Sequence, residues 1–281
     1  MTASAFVDLI KLRLTCLALA TTLVGFFLGT RGPVDNTVFF YTMLGAFLVG
    51  AGANTLNQYL ERDIDAKMKR TESRPLPSGR LSARTVLQFG LAISAAGLVE
   101  LYAAVNPLTG LLAALTLASY IFAYTPLKRM TPLNTFVGAI PGALPAVFGW
   151  TAAGGALGVE ALCLFLLLYV WQLPHFFSIA WVYREDYSRG GLKMMAADSR
   201  PRGLAAKIAV YCAILVPISF LPTFVGMAGW AYLLSAALAG AVFLAFAVEL
   251  VWGAMAHAKR FVSVSILYLM ALIVTLMADK V

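Results

Sequence analysis

The sequence is poor in charged residues, which make up 12% of its 281 residues. Soluble domains carry roughly 25% charged residues, so the composition argues against a soluble globular protein. Hydrophobic residues make up 61% of the chain, which is typical of a polytopic membrane protein. The net charge of +8 would indicate nucleic-acid binding in a soluble protein. In a membrane protein it is explained by topology, so we expect no nucleic-acid partner.

Cysteine and histidine are also scarce, with three and two copies. Cys16, Cys163 and Cys212 all lie inside apolar runs, and no C-x-x-C pattern occurs. This argues against a disulfide framework and against a cysteine-based zinc site. A convincing cleavage site for a signal peptide is missing after the first apolar run. We therefore expect this run to be retained as a transmembrane helix.

Nine apolar segments, each near the roughly 20 residues that cross a bilayer, predict an all-α fold of nine transmembrane helices. We expect them to form a single domain over residues 1–281. If the N-terminus is cytoplasmic, every Lys and Arg except Arg31 and Lys280 falls on the cytoplasmic side, as the positive-inside rule requires. The segments are approximately 12–30, 37–57, 85–105, 107–127, 133–152, 161–183, 207–226, 229–252 and 261–278.

The most charged stretch, residues 54–80, begins at the end of the second apolar segment. Asn57, Glu61 and Asp65 are spaced i, i+4, i+8, which places three oxygen-bearing side chains on one face of a helix. Acids that can hold a hard cation, followed by bases that can hold phosphate, predict a metal–diphosphate site. The alternative is a solvated loop between two membrane helices. The bases are Lys67, Lys69, Arg70, Arg74 and Arg80.

A second acidic and basic loop follows the sixth apolar segment. Glu185 and Asp186 stand there beside Arg184, Arg189 and Lys193. Alone, this pattern is typical of charges at a helix end. Together with the first loop, it could supply the opposite wall of a metal–diphosphate pocket, because Mg²⁺ prefers carboxylates and phosphate oxygens.

The first loop resembles the N-x-x-x-D-x-x-x-D signature of the UbiA superfamily of intramembrane prenyltransferases, with Glu61 in place of the first Asp. The segments Leu173-Pro174-His175-Phe176 and Asp186-Tyr187 resemble, more narrowly, the branch that modifies haem. The resemblance covers nearly the whole chain. One departure is that the second D-x-x-x-D of the superfamily is missing, because Gly190 stands four residues after Asp186.

The resemblance implies nine helices around a central cavity that opens to the cytoplasm. It implies transfer of a farnesyl group from farnesyl diphosphate to a vinyl group of haem b, with addition of water, to give haem O and diphosphate. The implied cofactor is Mg²⁺, and the implied location is the lipid bilayer of a bacterial cytoplasmic membrane, with the N-terminus inside. Candidate protein partners are haem A synthase and assembly factors of terminal oxidases.

The resemblance also implies roles for individual residues. Asn57, Glu61, Asp65 and Asp186 are expected to hold the metal and to act in catalysis, with Glu185 beside them. An intramembrane His175 is expected to ligate or orient haem, the alternative being a hydrogen-bonded packing residue. The expected substrate-binding residues, whose division between diphosphate and haem propionates is left open, are Lys69, Arg70, Arg74, Tyr124, Lys128, Arg129, His175, Glu185 and Tyr187.

Two other functions remain open. A related prenyltransferase that acts on an aromatic quinone precursor or a chlorin would need the same diphosphate site but no His175. A transporter of an anionic amphiphile would explain the basic loops. It would not explain why Asn57, Glu61 and Asp65 share a helix face next to a second acid cluster.

Overall fold

A computed structural model describes residues 3–196 and 199–281. The regular structure within these ranges is helical, which confirms the all-α prediction. Two stretches are π-helical and are named π1 and π2 here. The elements are α1 (Ala3–Ile10), α2 (Leu12–Gly29), α3 (Asn36–Asp65), α4 (Ala83–Glu100), π1 (Leu101–Val105), α5 (Pro107–Ala118), π2 (Ser119–Tyr124), α6 (Thr125–Met130), α7 (Asn134–Ala152), α8 (Val159–Val182), α9 (Arg184–Arg189), α10 (Pro201–Phe224), α11 (Trp230–Trp252) and α12 (Ala258–Ala278).

Among the described residues, nine helical stretches are long and apolar enough to cross a membrane, which confirms the predicted number. Two predicted edges differ clearly from the structure. The helix α3 continues to Asp65, well past the end of its apolar run, because the polar side chains there find buried partners. The helix α10 begins at Pro201, which suits the first turn because proline has no N–H to leave unpaired.

One compact unit comprises Met1–Gly155 and Glu185–Lys193. In it α3 packs along α4, and α2 packs along α7. A Cβ atom at Gly25 or Gly149 would meet the backbone of the facing helix, at Ala146 and Thr22 respectively. Small residues of this kind let membrane helices approach closely and associate through van der Waals contact.

The second unit comprises Ala156–Arg184 and Met194–Val281. In it α8 packs against α10 and α12, and α11 packs against the same two helices. Phe243 stacks on Phe261 and on Tyr268, with ring centroids 5.1 and 4.6 Å apart. These rings form an apolar core between α11 and α12.

Candidate active site

The charged end of α3 remains helical, so Asn57, Glu61 and Asp65 lie on one face, as their spacing predicted. We call these three side chains the acceptor row. They are almost fully buried, with 1%, 7% and 0% of their surface exposed. Buried polar groups need hydrogen-bond partners, and the partners here are basic.

Each member of the acceptor row accepts a hydrogen bond from its own base. The pairs are Lys11 Nζ with Asn57 Oδ1 (3.0 Å), Lys128 Nζ with Glu61 Oε1 (2.8 Å), and Arg74 Nη1 with both Asp65 oxygens (2.7 Å each). We call these bases the base set. Three basic groups face two carboxylates and one neutral amide, so the cluster has more positive than negative charge when its lysines are protonated. Such an excess favours an anionic ligand.

Arg74 is brought to the row by the turn that follows α3. The Thr71 hydroxyl donates to the carbonyl oxygen of Asp65 at 2.8 Å, and Met68 in the same turn is buried. The Arg74 amide then bonds to the Thr71 carbonyl at 3.0 Å. The turn thus folds back on the end of α3, which aims a residue nine positions further along the chain at Asp65.

Lys128 is brought to the row by π2, whose wide turn immediately precedes α6. The Thr125 hydroxyl donates to the Tyr120 carbonyl at 2.8 Å, and the Asn57 amide donates to the same hydroxyl at 3.4 Å. One turn later, the Lys128 ammonium lies 4.4 Å from the centre of the Tyr124 ring. This distance allows a cation–π interaction in addition to the ion pair with Glu61. Short π-helical stretches inside α-helices are frequent at functional sites.

Lys11 lies between α1 and α2 in the left-handed region, with φ 46° and ψ 58°. This backbone conformation is unusual for a residue with a Cβ and breaks the helix where the side chain turns toward Asn57. Removal of the ammonium group from water lowers the pKa of Lys11 from 10.5 to about 7, and the positive charge of Arg74 acts in the same direction. In the sequence Lys11 stands out only as a topology signal, so its contact with Asn57 was not predicted.

The second acidic loop packs onto the end of α3 within the same unit. The Arg70 guanidinium lies 4.6 Å from the centre of the Tyr187 ring. Gly190 approaches Met68 so closely that an added Cβ would contact its sulfur at 3.2 Å. The Lys193 amide donates to the Lys128 carbonyl at 2.8 Å. The structure therefore brings the two predicted loops together, through contacts other than those the sequence suggested.

The acids of the second loop are less buried than the acceptor row. Asp186 accepts a hydrogen bond from Arg189 at 2.6 Å, and Glu185 is exposed. Lys69 is exposed, and Arg129 donates to a backbone carbonyl of α3 at 3.4 Å. In residues 3–196 and 199–281, no three His, Cys, Asp or Glu side chains converge as a metal-binding group. Metal binding by Asp186 therefore stays a prediction.

His175 lies in α8 of the second unit. Its Nδ1 is 2.6 Å from the Ser265 hydroxyl, and its ring stacks on Trp171 with centroids 4.9 Å apart. Only 9% of its surface is exposed. The packing interpretation and the haem interpretation are both compatible with this burial, and they differ in what the other ring nitrogen does.

The chain is similar to proteins of one family over almost its whole length. The model of the UbiA prenyltransferase family matches residues 18–272. A protein of Solibacter usitatus named protoheme IX farnesyltransferase is 42% identical, with 98% of each chain covered. A protein of Salinibacter ruber with the same name is 40% identical, again with 98% of each chain covered.

Solved structures share the fold at low sequence identity. A digeranylgeranylglyceryl phosphate synthase superposes with a TM-score of 0.81 at 19% identity, covering 98% of each chain. A UbiA homolog from Archaeoglobus fulgidus, bound to DMAPP and Mg²⁺, has a TM-score of 0.67 at 16% identity, covering 97% of this chain and 99% of the homolog. At these identities the structural likeness shows a shared fold.

Proposed function

Because the chain belongs to the UbiA prenyltransferase family, we propose that it transfers a farnesyl group from farnesyl diphosphate to a vinyl group of haem b, giving haem O and diphosphate. The observation that carries the proposal is the full-length similarity to relatives named for this reaction. The acceptor row and its base set supply chemistry that suits a diphosphate leaving group.

The acceptor row has the donor type that Mg²⁺ prefers. Two carboxylates and one amide oxygen stand on successive turns of one rigid helix. We propose that Asn57, Glu61 and Asp65 hold Mg²⁺, with Asp186 as a further ligand. When bound, the metal would neutralise the negative charge that develops on the departing diphosphate.

We assign the base set to the oxygens of the diphosphate. In the structure Lys128 and Arg74 neutralise Glu61 and Asp65, and Lys11 donates to the uncharged amide oxygen of Asn57. When the metal–diphosphate complex binds, each carboxylate would exchange its base for the metal ion, and each base would exchange its present partner for a diphosphate oxygen. No buried charge would then be left unpaired. The exposed Lys69, Arg70 and Arg129 are assigned to the diphosphate or to haem propionates.

The reaction balances without a redox partner. The C1–O bond of farnesyl diphosphate breaks, and its electron pair leaves with the diphosphate. The vinyl π electrons form the new carbon–carbon bond, and water adds to the resulting cation and releases a proton. We propose that the Tyr124 ring, one face of which is occupied by the Lys128 ammonium, presents its other face to the allylic carbon, because an electron-rich ring face attracts developing positive charge.

We also propose an orientation in a bacterial inner membrane. The N-terminus and the acceptor row would face the cytoplasm, since this places all the bases except Arg31 and Lys280 on that side. Haem O made there would pass to haem A synthase or to assembly factors of a terminal oxidase.

A reconstituted assay tests the proposed function. Purified protein in lipid nanodiscs, supplied with Mg²⁺, labelled farnesyl diphosphate and haem b, is expected to form labelled haem O with one diphosphate released per product. Mass spectrometry of the haem fraction and a phosphate assay measure the two products. Label found only in an added quinone precursor or chlorin would identify a different acceptor. Movement of farnesyl diphosphate across vesicles without diphosphate release would indicate a transporter.

The substitution Lys11→Met is expected to weaken the binding of farnesyl diphosphate while leaving the helix break intact. A charge-assisted hydrogen bond is worth about 1.5–3 kcal/mol, so we expect the KM for farnesyl diphosphate to rise about tenfold or more. Arg13→Met, two residues away and exposed, is the matched control and should leave this KM unchanged. Equal KM values for the Lys11 variant and wild type would remove Lys11 from the diphosphate site.

A further inference from the structure

The hydrogen bonds around Ser265 determine which nitrogen of His175 carries a proton. The Ser265 hydroxyl lies 2.7 Å from the Val262 carbonyl oxygen and 2.6 Å from His175 Nδ1. A serine hydroxyl has one proton, and a carbonyl oxygen can only accept. Both short contacts are satisfied only when Ser265 donates to Val262 and accepts from an Nδ1–H group of His175.

The Nε2 atom of a neutral His175 therefore has a free lone pair. No described residue forms a hydrogen bond with Nε2, whereas Nδ1 has its partner in Ser265. An imidazole with one nitrogen bonded to a fixed acceptor and the other left free is the arrangement that proteins use for metal-ligating histidines.

Ser265 also fixes the orientation of the ring through a second residue. Trp171 lies one turn before His175 on α8, and its Nε1–H donates to the Ser265 carbonyl oxygen at 2.8 Å. The Trp171 and His175 rings stack with an interplanar angle of 19°. One residue of α12 thus contacts both members of an aromatic pair on α8, the hydroxyl holding His175 and the carbonyl holding Trp171.

We propose that Ser265 is a positioning residue that fixes His175 as the Nδ1–H tautomer and presents Nε2 as the ligand for the iron of haem b. This inference rests on the proposed function, since it names the atom that would recognise the haem substrate. Trp171 fixes the plane of the imidazole ring, and Ser265 fixes the position of its proton on Nδ1.

The tautomer can be measured without haem, because the chain has only two histidines. Protein labelled with nitrogen-15 in histidine, in a His257→Gln background, gives the signals of His175 alone. Wild type is expected to show the Nδ1–H tautomer, Ser265→Ala a mixture of tautomers, and Ser265→Thr, which keeps the hydroxyl, the wild-type pattern. An Nε2–H tautomer in wild type, or identical signals in wild type and Ser265→Ala, would overturn the inference.

Titration with ferric haem b tests the ligand. Replacing a group that orients a metal ligand typically weakens metal binding by about 10–100-fold, so Ser265→Ala should lose haem affinity in that range and lose the imidazole-ligated Soret and electron paramagnetic resonance signals. Affinity for farnesyl diphosphate should not change. Ser219→Ala removes another buried serine of the same unit, whose hydroxyl donates to the Val216 carbonyl of its own helix at 2.6 Å, and this variant should bind haem normally.

A His175→Ala background separates positioning from packing. If Ser265 acts through His175, then Ser265→Ala should cause no further loss of haem affinity in that background. Haem binding that is unchanged in Ser265→Ala, while wild type farnesylates haem b, would overturn the inference and leave the proposed function standing. If wild type neither binds haem nor forms product, both the inference and the proposed function would be rejected, whichever tautomer the nitrogen-15 signals show.

Discussion

Asp65→Asn is expected to reduce farnesyl transfer to below about a tenth of the wild-type rate, because the amide keeps the shape but not the charge of the proposed metal ligand. Asp65 is the most buried member of the acceptor row, and both of its oxygens lie 2.7 Å from Arg74. Initial rates of haem O formation at saturating substrates measure the effect. Activity above that level would remove Asp65 from the metal site.

Loss of activity must be separated from loss of folding. Removing one partner of a buried ion pair costs about 3–5 kcal/mol, so Asp65→Asn could destabilise the protein by leaving Arg74 unpaired. The double variant Asp65→Asn with Arg74→Gln removes both charges, and its melting temperature should recover toward wild type while activity stays low. Asp63→Asn is the matched control, since this acid lies on the same helix with 76% of its side chain exposed. It should retain full activity.

Removal of divalent metal is expected to abolish turnover. Without a metal, only the base set would offset the negative charge of a departing diphosphate. Two of its members already neutralise Glu61 and Asp65. Without a metal the two carboxylates would repel the diphosphate in a site shielded from water. Turnover in excess chelator should fall below detection and return when Mg²⁺ is added back.

Haem binding provides the control for metal removal. The proposed haem ligand is a histidine nitrogen in the second unit, so chelation of Mg²⁺ should leave the Soret titration unchanged. Full turnover in excess chelator would contradict metal-assisted diphosphate chemistry and would favour the transporter hypothesis.

Much of the fold was predictable because the bilayer imposes a simple rule on sequence. Each span must be apolar over about 20 residues, and the nine predicted segments coincide with the nine candidate spans of the described chain. The rule fails where polar side chains find partners inside the protein. This rule placed the end of the second span near Asn57. The helix α3 continues to Asp65, because three bases donate hydrogen bonds to its polar side chains.

The acceptor row was predictable, but its pairing with the base set was not: Arg74 and Lys128 were expected only as substrate-binding residues, and Lys11 was missed. The i, i+4, i+8 spacing is a local property of a helix, and it places three oxygens on one face in any context. Lys11 and Lys128 come from 46 and 67 residues away in sequence. Their approach depends on a left-handed residue and a π-turn, which have no reliable signature in a single sequence. The Ser265–His175 contact spans 90 residues and depends on the packing of α12 against α8, which the sequence alone does not reveal.

At Lys11 the stability of the fold and the proposed binding of diphosphate make opposite demands on one residue. A residue with a Cβ in this conformation costs roughly 1–2 kcal/mol relative to the usual right-handed region, and glycine avoids this cost. Lys11 also gives up hydration of its ammonium group, as its lowered pKa of about 7 indicates. Selection for heat resistance alone would therefore favour glycine at position 11 and would enrich folded chains that bind the prenyl donor poorly. An engineered, more robust version of this enzyme should keep Lys11 fixed and gain its stability elsewhere.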